Sequence, residues 1–238
     1  MPGLAHLLLL AVPATFGGAA AWIAYLRWKD RRTPEPWPLM VAAAALGSLA
    51  VLFAHFGYRA LDGAGLEASW ELLMGPLPGA IAGALAIGAV EEAAKLLPVL
   101  PFVWATRQFD ELWDGPVYAG ASAVGFALAE AVLLASMGET DVASTLARAA
   151  AAPITHVVFA GPWGLGLAYT TLRGARWAFP LGFAISTIAH GAYDLLLARP
   201  GTQLAAAALV GVMWLVWIAV AARLTRERRR YPRPDSHR

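Results

Sequence analysis

The sequence predicts an all-α fold, a polytopic bundle of about seven transmembrane helices with the N-terminus outside and the C-terminus inside. Three observations predict it. Of the 238 residues, 59% are hydrophobic and only 14% are charged, against about 25% charged in an average soluble domain. Seven apolar stretches of about twenty residues each can cross a hydrocarbon layer of about 30 Å as helices. The cations between those stretches collect in alternate connections.

Taken in order, the first span is Leu4 to Leu26. No Lys or Arg precedes it, and it outlasts a signal h-region of about 7 to 15 residues, so it reads as a retained helix. The second is Leu39 to Leu61. The third, Pro76 to Ala105, is long and contains Pro98 and Pro101, so its inner end is expected to be broken, kinked or tilted. Gly115 to Met137, Ala151 to Leu172, Trp177 to Ala198 and Leu204 to Ala222 complete the set. So much of the chain lies in spans that one membrane domain, 1–238, is expected, ending in a basic cytoplasmic tail at 223–238.

Direction follows from charge. With the N-terminus outside, the inner segments hold Arg27, Lys29, Arg31, Arg32, Arg107, Arg173, Arg176 and seven arginines from Arg223 onward, whereas the outer segments hold Arg59, Arg148 and Arg199. The tail sequence Arg226-Glu-Arg-Arg-Arg reads as a topology anchor beside anionic lipid, and no nucleic-acid partner is expected. Trp28, Trp37, Trp70, Trp104, Trp113 and Trp177 fall near span ends, where amphipathic rings settle. Small residues such as Ala80, Ala84 and Gly88, or Gly120 and Gly125, allow close helix approach. The chain has no cysteine, which excludes disulfides, thiolate nucleophiles and Cys-based zinc sites.

The informative residues are those that a span should not contain, since a charge at a helix centre costs about 2.5 to 3.5 kcal/mol on insertion scales. The third span carries Glu91, Glu92 and Lys95, the fourth Glu130, the fifth His156, and the sixth His190 and Asp194. The other spans carry only His6 and His55, which read as structural. With a rise of 1.5 Å per residue, the buried set lies roughly 6 to 23 Å from the outer ends of its spans, in or near the outer half of the membrane.

Spacing agrees with a single site. Lys95 lies within reach of both Glu91 and Glu92, three or four residues away. Adjacent glutamates diverge by about 100° around a helix, so one is expected to face the site and the other to be held by Lys95 or a neighbouring helix. His190 and Asp194, four apart, share a face, where the carboxylate would fix the imidazole tautomer or sit beside a metal. Phe126 lies one turn before Glu130.

These residues form recognisable motifs: Glu91-Glu-Ala-Ala-Lys95 as EExxK, Phe126-Ala-Leu-Ala-Glu130 as FxxxE, and His190-Gly-Ala-Tyr-Asp194 as HxxxD. With His156 and the run Asp114-Gly-Pro-Val-Tyr-Ala-Gly120, in which Ala119 displaces the glycine by one from DGxxYG, the pattern resembles the PrsW family of intramembrane proteases, related to the CAAX prenyl endopeptidases. The motifs stand in order on successive spans and cover Glu91 to Asp194. The resemblance implies a catalytic core at about 76–198 in a multi-pass protein of the bacterial plasma membrane. It also implies hydrolysis of peptide bonds in a membrane-anchored substrate such as an anti-sigma factor, cut near the outer side.

Two chemistries fit that implication, a metal-bound water and a water held by glutamate and histidine. His156, His190 and Glu130 supply the two-imidazole, one-carboxylate set that suits catalytic Zn²⁺. Glu91 is the expected base, Glu92 its alternate, Lys95 their orienting and balancing charge, and Asp194 the support of His190. Without metal, His190 and Asp194 would donate to the tetrahedral oxyanion. A different class also fits the cluster: a proton relay in a transporter. Transporters often carry matched internal repeats, and EExxK and HxxxD have no counterparts elsewhere in the chain. A nonenzymatic scaffold gives no reason to bury four carboxylates.

Overall fold

Each long apolar stretch folds as a helix, because a chain surrounded by apolar side chains must satisfy its backbone hydrogen bonds internally. The computed structural model describes residues 4–29, 33–136 and 142–230; side chains at 4–12, 14, 15, 135, 142–150 and 227–230 are outside that description. Nine helices form among the described residues: α1 (Leu4–Lys29), α2 (Trp37–Gly63), α3 (Trp70–Met74), α4 (Leu77–Leu96), α5 (Leu100–Ala105), α6 (Asp114–Ser136), α7 (Val142–Arg173), α8 (Ala178–Ala198) and α9 (Gln203–Arg230). The side chains of His6, Arg148 and the arginines from Arg228 onward, together with Arg31, Arg32 and Met137, lie outside the described set.

The fold is all-α, as predicted. Among the described residues, α2, the 114–134 part of α6, α8 and the 203–226 part of α9 are long and apolar enough to cross a membrane by length and composition. The remaining predicted spans coincide with α1, α4 and α7, of 26, 20 and 32 residues. The third stretch divides into α4 and α5, broken where Pro98 and Pro101 remove backbone donors. Two features differ from expectation. The short helix α3 forms before α4, capped by Ser69, whose Oγ accepts from the Leu72 amide at 3.2 Å. α7 also begins well ahead of Ala151.

At the centre stands α6, buried continuously from Asp114 to Ala127. Its small side chains let two neighbours touch its backbone. A Cβ at Gly125 would fall 1.8 Å from the Ala44 carbonyl oxygen of α2, and Ser48 Oγ donates to the Gly125 carbonyl at 2.9 Å. α7 packs along the other side of α6, and α8 packs against both α7 and α4. Phe53, Phe56, Leu204, Leu215 and Ile218 point outward from the bundle. In a bilayer such faces meet lipid tails instead of water.

The connections from α1 to α2 and from α5 to α6 are locked by polar contacts. Arg27 donates to the Glu35 carbonyl and stacks 4.8 Å over Trp37, while Tyr118 donates its hydroxyl proton to the Glu35 carboxylate. Asp114 accepts from the amides of Asp110 and Glu111 at 2.7 and 2.5 Å, closing the turn before α6. Of the interfacial tryptophans, Trp28, Trp37, Trp70, Trp104 and Trp177 are exposed, but Trp113 is buried. It packs on Ala221 and Leu224 of α9 and meets Trp217 edge to face at 5.9 Å. The end of α9 covers it, which the position of Trp113 near a span end did not reveal.

Candidate active site

α4 and α8 are brought together by glycine. A Cβ at Gly191 would lie 2.3 Å from the Ala84 carbonyl oxygen, and one at Gly88 would lie 2.5 Å from that of Thr187. The two backbones are therefore in contact, which places the glutamates a turn along α4 beside His190.

Glu92 is wholly buried and points into the bundle. Its Oε1 meets Lys95 Nζ at 2.8 Å and His190 Nδ1 at 2.7 Å, while its Oε2 accepts from Trp163 Nε1 at 2.8 Å. Three helices thus converge on one carboxylate. Lys95, equally buried, lies 3.5 Å from Glu91 Oε2 and 4.7 Å above the Phe126 ring. It reaches both glutamates, as their spacing predicts.

Glu91 diverges from Glu92 and faces α2 and α8. Tyr58 donates its hydroxyl proton to Oε1 at 2.8 Å, and His190 Nε2 lies 3.4 Å from Oε2. Asp194 Oδ2 stands 3.6 Å from the same imidazole nitrogen. The carboxylate that orients His190 through Nδ1 is therefore Glu92, whereas the sequence spacing pointed to Asp194 for that part. Phe159 stacks on the imidazole at 5.2 Å.

His156 joins from α7, its ring 5.4 Å from that of His190. Its Nε2 pairs with Glu130 Oε2 at 3.0 Å, and Phe126 of FxxxE packs against it. All seven sequence-predicted residues, Glu91, Glu92, Lys95, Glu130, His156, His190 and Asp194, thus belong to one connected cluster. Asp114 and Tyr118 stand apart from it at the start of α6, about 24 and 18 Å along the helix from Glu130.

The donor set fits a metal ion. One ligand atom each from Glu91, His156 and His190 can be chosen so that all lie within 4.8 Å of one another. Glu91 Oε2 and His156 Nδ1 are buried without a hydrogen-bond partner, an arrangement that calls for a further occupant. Each imidazole has its other nitrogen on a carboxylate, Glu130 for His156 and Glu92 for His190. That is the second support typical of metal-bound histidines. The cluster also sets four carboxylates against one ammonium, Glu91 and Glu92 pairing with Lys95 while Glu130 and Asp194 lie beside the imidazoles, an excess that a divalent cation would offset. Glu130, expected in the donor set, is engaged with His156, and Glu91 occupies its expected place in the converging trio.

The profile of the PrsW family intramembrane metalloprotease matches residues 35–222. The chain belongs to the PrsW family. Protease PrsW of Geobacillus kaustophilus is 28% identical over 228 residues, covering 94% of this chain and 95% of that one. Protease PrsW of Oceanobacillus iheyensis is 27% identical over 221 residues, covering 92% and 96%. No solved structure matches. Membership makes the chain an enzyme, an intramembrane protease and an integral multi-pass membrane protein, and the proton-relay reading gives way to peptide hydrolysis.

Two participants were not drawn out by the sequence, Tyr58 and Trp163. Both had a signal. Tyr58 extends the inward stripe of α2 that runs through Met40, Ala43, Gly47, Ala50 and Ala54. Trp163 lies mid-span, away from any interface, where a buried indole N–H requires an acceptor.

Proposed function

We propose that this PrsW-family enzyme is a zinc endopeptidase of the bacterial plasma membrane that cuts membrane-anchored proteins, an anti-sigma factor among the candidates, near the outer boundary of the bilayer. The observation carrying the proposal is the convergence of Glu91, His156 and His190 in the buried cluster. The outer placement rests on a seven-span topology with the N-terminus outside, supported by the bias of Lys and Arg toward the inner connections.

In this reading Glu91, His156 and His190 would hold the ion, Glu91 Oε2 and His156 Nδ1 being the donor atoms without hydrogen-bond partners. A bound zinc supplies Lewis acidity and lowers the pKa of a water molecule. Asp194, which flanks His190 Nε2 and is partly open at 14% exposure, would take the proton from the attacking water and pass it to the departing amine, the base role that the sequence spacing assigned to Glu91. Glu92 is unsuited to that task. Both its oxygens are already engaged by Lys95, His190 and Trp163. It fixes the His190 tautomer, with Lys95 balancing the paired glutamates, and Glu130 fixes His156. A substrate helix must unwind locally to present its peptide bond, since helical hydrogen bonds shield it.

The test is metal content per chain in mild detergent, alongside cleavage of a membrane-anchored reporter. About one zinc per chain is expected, lost in His190→Ala and Glu91→Ala. Metal-free protein that still cleaves would overturn the zinc mechanism. A new terminus mapped to the cytoplasmic side would overturn the outer placement.

A further inference from the structure

Of the two glutamates on α4, Glu91 is the less restrained. Its neighbour Glu92 has three donors, but the hydrogen bond to Oε1 comes from Tyr58 on α2. The other oxygen has no hydrogen-bond partner and lies 3.5 Å from Lys95 Nζ and 3.4 Å from His190 Nε2. A carboxylate held at one oxygen presents the other in a fixed direction, which is what a single-oxygen ligand requires.

The fold invests in this contact. Gly57, next to Tyr58, abuts Val90, next to Glu91: a Cβ at Gly57 would lie 2.8 Å from Val90 Cγ1. Valine has little rotamer freedom with which to retreat, so only glycine permits this approach of α2 to α4. The ring of Tyr58 is clamped on two sides. Ala50, Ala54, Ala94 and Phe126 form one cluster against it, and Leu73, Ala84 and Ile87 form another. Leu73 of the second cluster comes from α3, so the packing around the ring draws on α3 as well as α4.

Resting on the assignment of Glu91 as a ligand, we propose that Tyr58 is a positioning residue of the active site: its hydroxyl holds Glu91 Oε1 so that Oε2 faces His156 and His190. It touches neither substrate nor ion. Its role is to select the carboxylate rotamer, and it lies outside the EExxK, FxxxE and HxxxD motifs, on a helix otherwise devoted to packing.

Tyr58→Phe removes the hydroxyl and keeps the ring. In the full-length protein in mild detergent, zinc affinity is measured by competition with a chromophoric chelator, together with kcat, KM and the thermal midpoint. The expected result is zinc affinity weakened about 10- to 100-fold and kcat reduced, with KM within about twofold and the midpoint unchanged. Tyr58→Ala supplies the contrast. A purely packing role makes Phe equivalent to Tyr and only Ala defective, which would overturn the proposal. Glu91→Ala separates the two levels of inference. If it abolishes zinc binding while Tyr58→Phe binds as the wild type does, the positioning role fails and the ligand assignment stands. If Glu91→Ala binds zinc normally, both fail.

Discussion

Glu92 and His190 lie 98 residues apart in sequence and 2.7 Å apart in the fold, joined through Nδ1 of the imidazole. Removing the carboxylate would take from the buried Lys95 its closest counter-charge, leaving it Glu91 at 3.5 Å. Glu92→Ala should therefore lower stability by about 3 to 5 kcal/mol as well as abolish cleavage. Glu91→Ala should abolish cleavage while retaining insertion and most of the stability. Paired thermal melts and reporter cleavage distinguish them, and normal cleavage by Glu91→Ala would falsify its place in the site.

Trp163→Phe deletes the donor to Glu92 Oε2 while preserving most of the ring volume. An unsatisfied buried acceptor should cost about 1 to 3 kcal/mol. Activity should fall with it, because Glu92, which holds His190 Nδ1, then loses one of its own three contacts. A melt and a turnover rate indistinguishable from the wild type would show that the indole serves only to fill space.

Gly191→Ala places a methyl group 2.3 Å from the Ala84 carbonyl oxygen, a contact that the backbone must move to relieve. A destabilisation of about 1 to 3 kcal/mol is expected. His190, the adjacent residue, should shift with the backbone, so cleavage should fall further than stability alone accounts for. Wild-type kcat in this variant would show that α8 has slack at this crossing.

Ligands and their supports should separate in a metal titration. Glu130→Gln should weaken metal affinity about 10- to 100-fold, whereas Glu91→Gln should remove high-affinity binding. Chelation of the wild type should abolish cleavage, and added zinc should restore it. Equal losses in the two variants would place Glu130 among the ligands instead.

Orientation has its own check. A reporter fused after Arg238 should lie in the cytoplasm, as the basic tail requires. An external signal there would reverse the assigned direction or change the span count.

Much of this was legible because a bilayer simplifies the reading: apolar length gives helices, and any ionisable residue inside one requires explanation. Hence Glu91, Glu92, Lys95, Glu130, His156, His190 and Asp194 stood out before any contact was known. What remained hidden was pairing. Spacing on α8 puts Asp194 near His190, but only the α4–α8 contact through Gly88 and Gly191 decides that Glu92 takes Nδ1. The same crossing brings Glu91 to the centre and leaves Glu130 behind His156. Tyr58 and Trp163 went unremarked because neutral aromatic residues cost little to insert, and so carry no such alarm.

The three donors around Glu92 come from α4, α7 and α8, and Glu91 draws a fourth helix, α2, into the same cluster. No pair of helices contains the whole arrangement. A chain still emerging into the membrane therefore passes through stages in which its acids and imidazoles are present but not assembled, and the cluster is complete only after the α8 segment has docked.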